Sequence, residues 1–382
     1  MFVEINFEPK FMKRILLSVA ATFFLLTASA QVKEYGIMNE MMLDKTETKD
    51  QCRTGTCWSY STVSFLESEL IRMGKGQHDL SEMFNVRMTY PKKAEMYLRY
   101  QGKYQFGPGS LSHDVINAMR DYGVVPEAAY SGINYASEKH DHGEMDAVLE
   151  GMMKALVDKR NAVNGDAWKV AYNGVLDAYL GTAPNKFEYQ GKSYTPASFR
   201  DEMGLSASDY VSLTSFTHHP MNAPFVLEVP DNFSQGSFYN VSLDELENAV
   251  VSALENGYTL AWDADVSERG FSFKNAMAIY PAEETPKDQY FKTVLPEPTV
   301  TAGMRQEGFD NYKTTDDHLM HLIGTAKDKN GVRYFIIKNS WGSGNETGGL
   351  QYISSAYFRM KTIAVLLHKA GLPKELQKQL QL

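Results

Sequence analysis

The sequence predicts an α+β fold, in which helices fill the first two-thirds of the chain and strands fill the last third. Apolar residues recur at helical spacing in several segments between residues 58 and 256. From residue 318 onwards the pattern changes to short apolar runs separated by a turn. With 382 residues, 43% of them hydrophobic, the chain can bury a substantial core. We therefore expect one large domain, or one domain that carries a sizeable insertion.

Two helices are predicted in the first part of the chain, after a short polar lead. The apolar residues of segment 58–73 form one stripe, and Gly74 follows it. Segment 111–122 shows the same pattern and is followed by Gly123. Glycine is the usual residue just beyond a helix C-terminus, so both helices are expected to end there.

The middle of the chain, residues 131–243, differs in composition and predicts an inserted subdomain. It contains helical patterns at 145–163 and 167–180, whereas 191–240 is broken by four prolines and indicates loops with short strands. A further helix at 243–256 and an apolar strand at 258–262 follow. This order suggests that the insertion leaves the main fold and then re-enters it.

The last third predicts a set of strands. Runs 318–326 and 333–338 flank a polar turn that ends in Asn330-Gly331, which is a strong hairpin signal. Another strand is expected at 350–354. The chain ends in a charged tail, 370–382, that is predicted to be helical from residue 373.

The first thirty residues have the pattern of a secretory signal peptide. Lys13-Arg14 precedes the apolar run 15–26, and Ala28-Ser29-Ala30 supplies a small-residue cleavage site. The apolar run is shorter than the roughly 20 residues that span a bilayer. We expect cleavage after Ala30, export to the periplasm or the extracellular space, and no membrane anchor.

The charge balance argues against nucleic acid as a partner. Charged residues make up 22% of the chain and the net charge is −9, so no basic field surrounds the whole surface to attract phosphates.

Cys52 and Cys57 are the two cysteines of the chain, and Cys57 stands at the first turn of the first predicted helix. Unpaired amides and the helix dipole favour a thiolate there, which is the form that attacks carbonyl groups. A buried, inert cysteine is the common alternative. A disulfide between the two is another, although a bridge across so short a loop stabilises little. If the two sulfurs pair, oxidation would switch a catalytic Cys57 off.

Residues 51–58 (Gln-Cys-Arg-Thr-Gly-Thr-Cys-Trp) resemble the active-site signature of the papain-like cysteine peptidases. In that signature Thr54 replaces a cysteine that is remote from the chemistry. The resemblance implies a helical lobe that carries the nucleophile and a lobe like an antiparallel β-barrel. It also implies a histidine and an asparagine, which match His318, before an apolar strand, and Asn339, in residues 338–342 (Lys-Asn-Ser-Trp-Gly).

The resemblance assigns a role to each of these residues. Cys57 is the nucleophile, and His318 takes its proton, holds it in an ion pair and delivers it to the departing amine. Asn339 orients the imidazole. Gln51 donates its side-chain amide to the oxyanion, together with the N–H of Cys57. Trp341 covers the bond between His318 and Asn339.

The remaining histidines have simpler interpretations. His321 lies three residues beyond His318 and therefore points to the opposite face of the strand, as a packed or surface group. A charged loop explains His140 and His142 better than a metal site does. The pair 218–219 (His-His) belongs to no recognisable ligand set. We expect no metal and no cofactor.

Two features resemble the bleomycin hydrolase or aminopeptidase C branch of the family. Cys57 and His318 are 261 residues apart, against about 130–150 in ordinary members, so a large, mostly helical insertion lies between them. The 26 residues from Gln31 to the nucleophile leave no room for a long propeptide. Segments 121–126 and 257–266 match this branch locally.

That branch implies further properties. Its members form homo-oligomers, typically hexamers, and a C-terminal carboxylate, here that of Leu382, binds the amine of the substrate. Gly109, in residues 107–110 (Gly-Pro-Gly-Ser), resembles a glycine of the cleft wall that pairs with an extended substrate. We count Gly109, Trp341 and Leu382 as candidate substrate-binding residues.

The expected function is hydrolysis of peptide bonds through a thioester acyl-enzyme, with release of N-terminal residues. An endopeptidase with an open cleft is the alternative enzyme. A non-catalytic peptide-binding protein on the same scaffold is the alternative outside enzymes.

Overall fold

The computed structural model describes residues 30–159 and 165–382. The predicted signal peptide, apart from the backbone of Ala30, lies outside the described residues. The α-helices of the described part are α1 Ala30–Tyr35, α2 Cys57–Arg72, α3 Glu82–Arg99, α4 Ser112–Tyr122, α5 Gly143–Asp158, α6 Ala167–Leu180, α7 Pro196–Met203, α8 Leu243–Glu255, α9 Ala302–Asp310, α10 Ser355–Lys361 and α11 Lys374–Leu380.

Most of the strands lie in the second half of the chain, interspersed with helices. They are β1 Met38–Met42, β2 Phe187–Tyr189, β3 Lys192–Tyr194, β4 Tyr210–Thr214, β5 Ala223–Val226, β6 Ser237–Asn240, β7 Leu260–Ala264, β8 Phe271–Ser272, β9 Met277–Ala278, β10 His318–Lys327, β11 Arg333–Lys338, β12 Leu350–Ser354 and β13 Thr362–His368. The α+β class predicted from the sequence is confirmed.

One large sheet organises the molecule, in the order β5-β6-β4-β13-β7-β10-β11-β12-β9-β8, with β1 paired to β10. The predicted hairpin joins β10 to β11. In its turn the carboxylate of Asp328 accepts the N–H groups of Asn330 (2.8 Å) and Val332 (2.9 Å). Gly331 has a φ of 81°, a conformation that favours glycine, which explains the Asn-Gly signal.

The central strands β7, β10 and β13 present two apolar faces, because successive side chains of a strand point to opposite sides. One face packs with α2 and the helices around it, and the other packs with α8, α10 and α11. The first face includes Ala261, Leu319 and Leu366; the second includes Trp262, Met320 and Val365.

The region predicted as an inserted subdomain has two parts in the structure. Residues 143–159 and 165–203 include α5, α6, the β2–β3 hairpin and α7, whose apolar side chains enter the same core as α2. Strands β4 to β6, at 210–240, instead extend the main sheet next to β13. That the region forms a separate subdomain stays a prediction. Residues 210–240, the later part of the region, are continuous with the main sheet.

The C-terminal tail is helical, as expected, and packs on the second face of the sheet. Leu376 and Leu380 are buried in the same cluster as Leu246 and Val250 of α8. The N–H of Leu382 donates to the carbonyl of Gln377 (3.0 Å). Among the described residues, no helix combines the length and the apolar character that crossing a bilayer requires.

Candidate active site

Cys57 is the first residue of α2, a helix of 16 residues, and is 9% exposed. Within the described part of the chain, its N–H has no hydrogen-bond partner, which is typical of a first helical turn. The indole N–H of Trp58 donates to the carbonyl of Pro108 (3.0 Å). Gly55 packs on the ring of Pro108 so closely that a β-carbon there would collide with it. The nucleophile segment therefore lies directly against residues 107–110.

The thiol of Cys57 occupies a dry and acidic environment. Burial raises the pKa of the thiol to about 12. The backbone of Leu319 opposes this shift, whereas the carboxyl groups of Asp316, Asp263 and Asp231 add to it. Burial at this position therefore acts against the thiolate form of Cys57.

The ring of His318 is held by Asn339, and the proton positions follow from the surrounding donors. The backbone N–H of Ser340 donates to Oδ1 of Asn339 (2.7 Å), which identifies that atom as the oxygen. Nδ2 of Asn339 donates to Gln351 (2.7 Å). The 2.8 Å contact between His318 Nε2 and Asn339 Oδ1 therefore has the ring as donor. The neutral ring carries its proton on Nε2, which leaves Nδ1 as a base.

Burial also lowers the pKa of His318 to about 4, although its bond to Asn339 and the charge of Asp317 act in the opposite direction. Within the described residues, the thiol of Cys57 makes no hydrogen bond to this ring. Removal from water disfavours both charges of the expected thiolate–imidazolium pair, which stays a prediction.

Trp341 stacks on the ring of His318, with centroids 4.6 Å apart and planes 27° from parallel. Phe271 and Phe273 meet the indole edge-on at 6.0 and 5.6 Å. The stacking agrees with the covering role predicted for Trp341 in the sequence.

Gln51 is fixed at both ends of its side-chain amide. Nε2 donates to the carbonyl of Thr54 (2.8 Å), and Oε1 accepts the hydroxyl of Ser340 (2.6 Å). One N–H of the amide therefore remains for a further acceptor. Ser340 connects Gln51 to Asn339, through its hydroxyl and its N–H respectively. The sequence motif contained Ser340, but a link between two residues that are distant in the chain is not visible in a sequence.

Gly109 lies beside this site, but its backbone is already engaged. The amine of Lys93, a residue with 2% exposure, donates to the carbonyl of Gly109. Asp231 covers its α-carbon, so that a β-carbon there would collide with the carboxyl group. The backbone of Gly109, which is predicted to pair with an extended substrate, thus already holds Lys93 at its carbonyl.

Asp231 belongs to a compact segment, residues 227–236, which we call the cleft loop. The side chain of Asn232 bonds to the carbonyls of Leu227 (2.8 Å) and Gly236 (3.0 Å) and accepts the N–H of Gly236 (2.7 Å). Gln105 donates to Asp231 (2.9 Å). These bonds fix the loop over Gly109.

The structure does not bring Leu382 to the other predicted residues. The helix before it packs on the face of the sheet opposite to α2, and Leu382 is 40% exposed. The sequence resemblance placed this carboxylate in the cleft. The apolar stripe of α11 explains the difference, since it buries Leu376 and Leu380 against α8 instead.

The two cysteines are both free. Cys52 has a φ of 55°, and its N–H donates to the side chain of Asp50 (2.8 Å). The disulfide considered as an alternative is absent from the described residues.

The other histidines have structural surroundings. His321 is fully buried and pairs with the hydroxyl of Ser64 of α2 (2.7 Å), as expected of a packed group. His142 is also fully buried, and its backbone N–H donates to the carbonyl of Arg53 (3.1 Å). The segment around His142 therefore packs against the loop that precedes Cys57.

Folding adds Glu228 to the pair His218 and His219. Glu228 lies 3.2 Å from Nε2 of His218 and 2.6 Å from Nε2 of His219. One ligand atom from each of the three lies within 4.8 Å of the others. No ligand set is visible in the sequence, because Glu228 comes near the two histidines only in the folded chain.

The fold and the arrangement of cysteine, histidine, asparagine and glutamine define a papain-like cysteine peptidase. The family model described as the Peptidase C1-like family matches residues 175–382, more than half of the chain. The chain therefore belongs to the Peptidase C1-like family and is a cysteine peptidase.

Characterised relatives are aminopeptidases. Aminopeptidase G of Lactobacillus delbrueckii subsp. lactis is 24% identical, with 98% of this chain and 93% of the relative covered. Aminopeptidase C of Listeria monocytogenes is 23% identical, with 88% of this chain and 83% of the relative covered. The crystal structure of PepW from Lactobacillus rhamnosis HN001 superposes with a TM-score of 0.71 at 19% identity, covering 100% of this chain and 96% of that one. This likeness confirms the fold.

Proposed function

We propose that this protein is a cysteine aminopeptidase that releases N-terminal residues from peptides through a thioester intermediate. The family and its aminopeptidase relatives support the reaction class. The observation that carries the restriction to N-termini is the position of the cleft loop, whose Asp231 covers Gly109.

The reaction begins at the thiol of Cys57. Nδ1 of His318 takes the thiol proton, and the sulfur attacks the substrate carbonyl carbon. The N–H of Cys57 and the remaining N–H of Gln51 stabilise the oxyanion. His318 then protonates the departing amine as the C–N bond breaks. Water attacks the thioester, and the proton it loses passes through His318 to the sulfur.

Substrate length is limited beyond Gly109. A chain that extended past the first residue would need the carbonyl of Gly109, which Lys93 occupies, and the space that Asp231 fills. A substrate that ends in a free amine needs neither. An endopeptidase requires this region to be open, so the geometry favours the aminopeptidase.

The test compares a leucyl coumarin amide with its N-acetylated counterpart, with and without a thiol-alkylating epoxide. We expect cleavage of the free-amine compound alone, abolished by the epoxide and by Cys57→Ala. Cleavage of both compounds would identify an endopeptidase. Cleavage of neither, by enzyme whose Cys57 is shown to be reduced, would leave a peptide-binding protein.

We also propose that the chain is exported and processed after Ala30. The support is the order of basic, apolar and small residues in segment 13–30. Expression of the full chain in a bacterium should deliver to the periplasm a product whose first residue is Gln31. Full-length protein that stays in the cytoplasm would contradict this.

A further inference from the structure

Two carboxyl groups, those of Asp263 and Asp316, lie beside the nucleophile and have no part in the reaction described above. Asp263, on β7, is paired in register with Leu319, whose backbone lowers the pKa of Cys57. Successive side chains of β7 point to opposite faces of the sheet, with residue 261 on the α2 side and residue 262 on the other. Asp263 therefore faces the α2 side. Asp316 lies two residues before His318.

These carboxyl groups lack the partners that buried polar groups normally have. Asp263 is 3% exposed, and neither of its side-chain oxygens has a hydrogen-bond partner in the described part of the chain. Oδ2 of Asp316 is buried and unpartnered in the same way. No lysine or arginine of the described residues lies within ion-pair distance of either group. An unpaired buried carboxylate is costly, so a donor from outside the chain is the expected partner.

The two carboxyl groups lie close enough for the charge of Asp316 to raise the pKa of Asp263. Two neighbouring carboxylates repel each other, so the pair favours a state in which one of them holds a proton. Burial raises the pKa of both groups, that of Asp316 to about 8. A pair that shares one proton carries one negative charge, which matches the charge of one ammonium group.

The structure of an N-terminal substrate requires its α-ammonium group to lie near the nucleophile. In an N-terminal residue the amine is attached to the carbon next to the scissile carbonyl. When Cys57 attacks that carbonyl, the amine must lie a few bonds away from the sulfur. Leu382, the group expected to bind it, lies on the other side of the sheet.

We propose that Asp263 and Asp316 together bind the α-ammonium group of the substrate. This inference rests on the proposed aminopeptidase function and names the group that selects free N-termini. The cleft loop excludes longer chains, and the aspartate pair holds the terminal amine.

The test uses Asp263→Asn and Asp316→Asn in the full chain, with Asp288→Asn as a control. Asp288 is exposed and lies in a surface turn, so its variant removes the same charge elsewhere. We expect kcat/KM for leucyl coumarin amide to fall about 10-fold to 100-fold in both variants, as hydrogen bonds to charged groups predict, and to change less than twofold in the control. Alkylation of Cys57 by iodoacetamide should not become slower, since the thiol loses a neighbouring negative charge.

The failures of the two proposals are distinguishable. Wild-type enzyme that does not cleave the free-amine compound contradicts the proposed function. Wild-type activity that survives both substitutions contradicts this inference alone.

A binding measurement covers the case in which Asp263→Asn does not fold. Leucinal and N-acetyl-leucinal both add to the thiol, and they differ at the amine. Wild-type enzyme should prefer leucinal at least tenfold, and Asp316→Asn, at a partly exposed residue, should lose most of that preference. An unchanged preference in Asp316→Asn, or none in the wild type, would overturn the inference.

Discussion

At the scale of single residues, hydrogen-bond donors decide how the site is protonated. The N–H of Ser340 identifies the oxygen of Asn339, which in turn fixes the proton of His318 on Nε2. The hydroxyl of the same serine orients Gln51. Ser340 is therefore a positioning residue, because it acts through two groups and contacts no reacting atom.

Ser340→Ala should lower kcat about 3-fold to 30-fold with little change in KM, because Gln51 loses the bond that aims its amide at the oxyanion. The buried oxygen of Gln51 also loses its partner, at a cost of about 1–3 kcal/mol in the free energy of unfolding. Steady-state kinetics and thermal melting measure both effects. Ser206→Ala, at an exposed serine, is the control, and a Ser340→Ala enzyme with wild-type kcat would contradict the assignment.

Burial of Cys57 and His318 predicts the pH dependence of alkylation in the free enzyme. With its pKa raised to about 12, the thiol is protonated at pH 7, and its thiolate fraction grows about tenfold for each pH unit below that value. The rate of reaction with iodoacetamide should rise in this way from pH 7 to 9. His318→Ala should show the same slope. A plateau that begins near pH 5 would instead indicate a preformed ion pair.

At the scale of elements, the position of a helix decides which group is available to the substrate. The helix α11 buries Leu376 and Leu380 against α8, and this packing holds the chain terminus away from α2. The cleft loop is instead held by Gln105, which donates to Asp231, and the carboxyl group of Asp231 packs against Gly109.

Deletion of Leu382 should therefore leave the selectivity for free amines unchanged, because the terminal carboxylate lies across the sheet from Cys57. The measurement is the ratio of kcat/KM for leucyl coumarin amide and its N-acetylated counterpart. Leu376→Ala, in the buried stripe of the same helix, should lower the free energy of unfolding by about 2–5 kcal/mol. If the deletion abolished selectivity, the carboxylate would reach the cleft in solution.

At the scale of the whole molecule, the helices of the middle region and the nucleophile helix share one core. Leu149 of α5 and Leu176 of α6 are buried in the cluster that contains Trp58 and Phe65 of α2. The sheet then connects this core to the one beneath α8. The homo-oligomer expected from the sequence resemblance stays a prediction.

Continuity of the core predicts cooperative unfolding. Leu149→Ala, in the middle region, should lower the urea midpoint as Leu246→Ala does on the other face, each through loss of about 2–5 kcal/mol. Activity and circular dichroism should decline together in one transition for each variant. A separate early transition in Leu149→Ala that spared activity would show that the middle region is an independent domain.

The sequence by itself determined the α+β class, the hairpin at residues 327–333 and the choice of Cys57, His318, Asn339 and Gln51 as candidates. Local patterns carry this information: apolar periodicity, an Asn-Gly turn and short motifs around each reactive side chain. The same patterns did not predict α3, a helix with Pro91 inside it, whose stability depends on packing with neighbouring helices.

Only the tertiary structure decided which distant groups surround the candidates. Ser340 meets Gln51, Asp231 covers Gly109, and Asp263 and Asp316 come together beside Cys57. It also decided that burial opposes charge on both the thiol and the imidazole, and that Leu382 lies away from α2. Burial, charge proximity and helix docking depend on the whole packed molecule, and no local pattern of residues contains them.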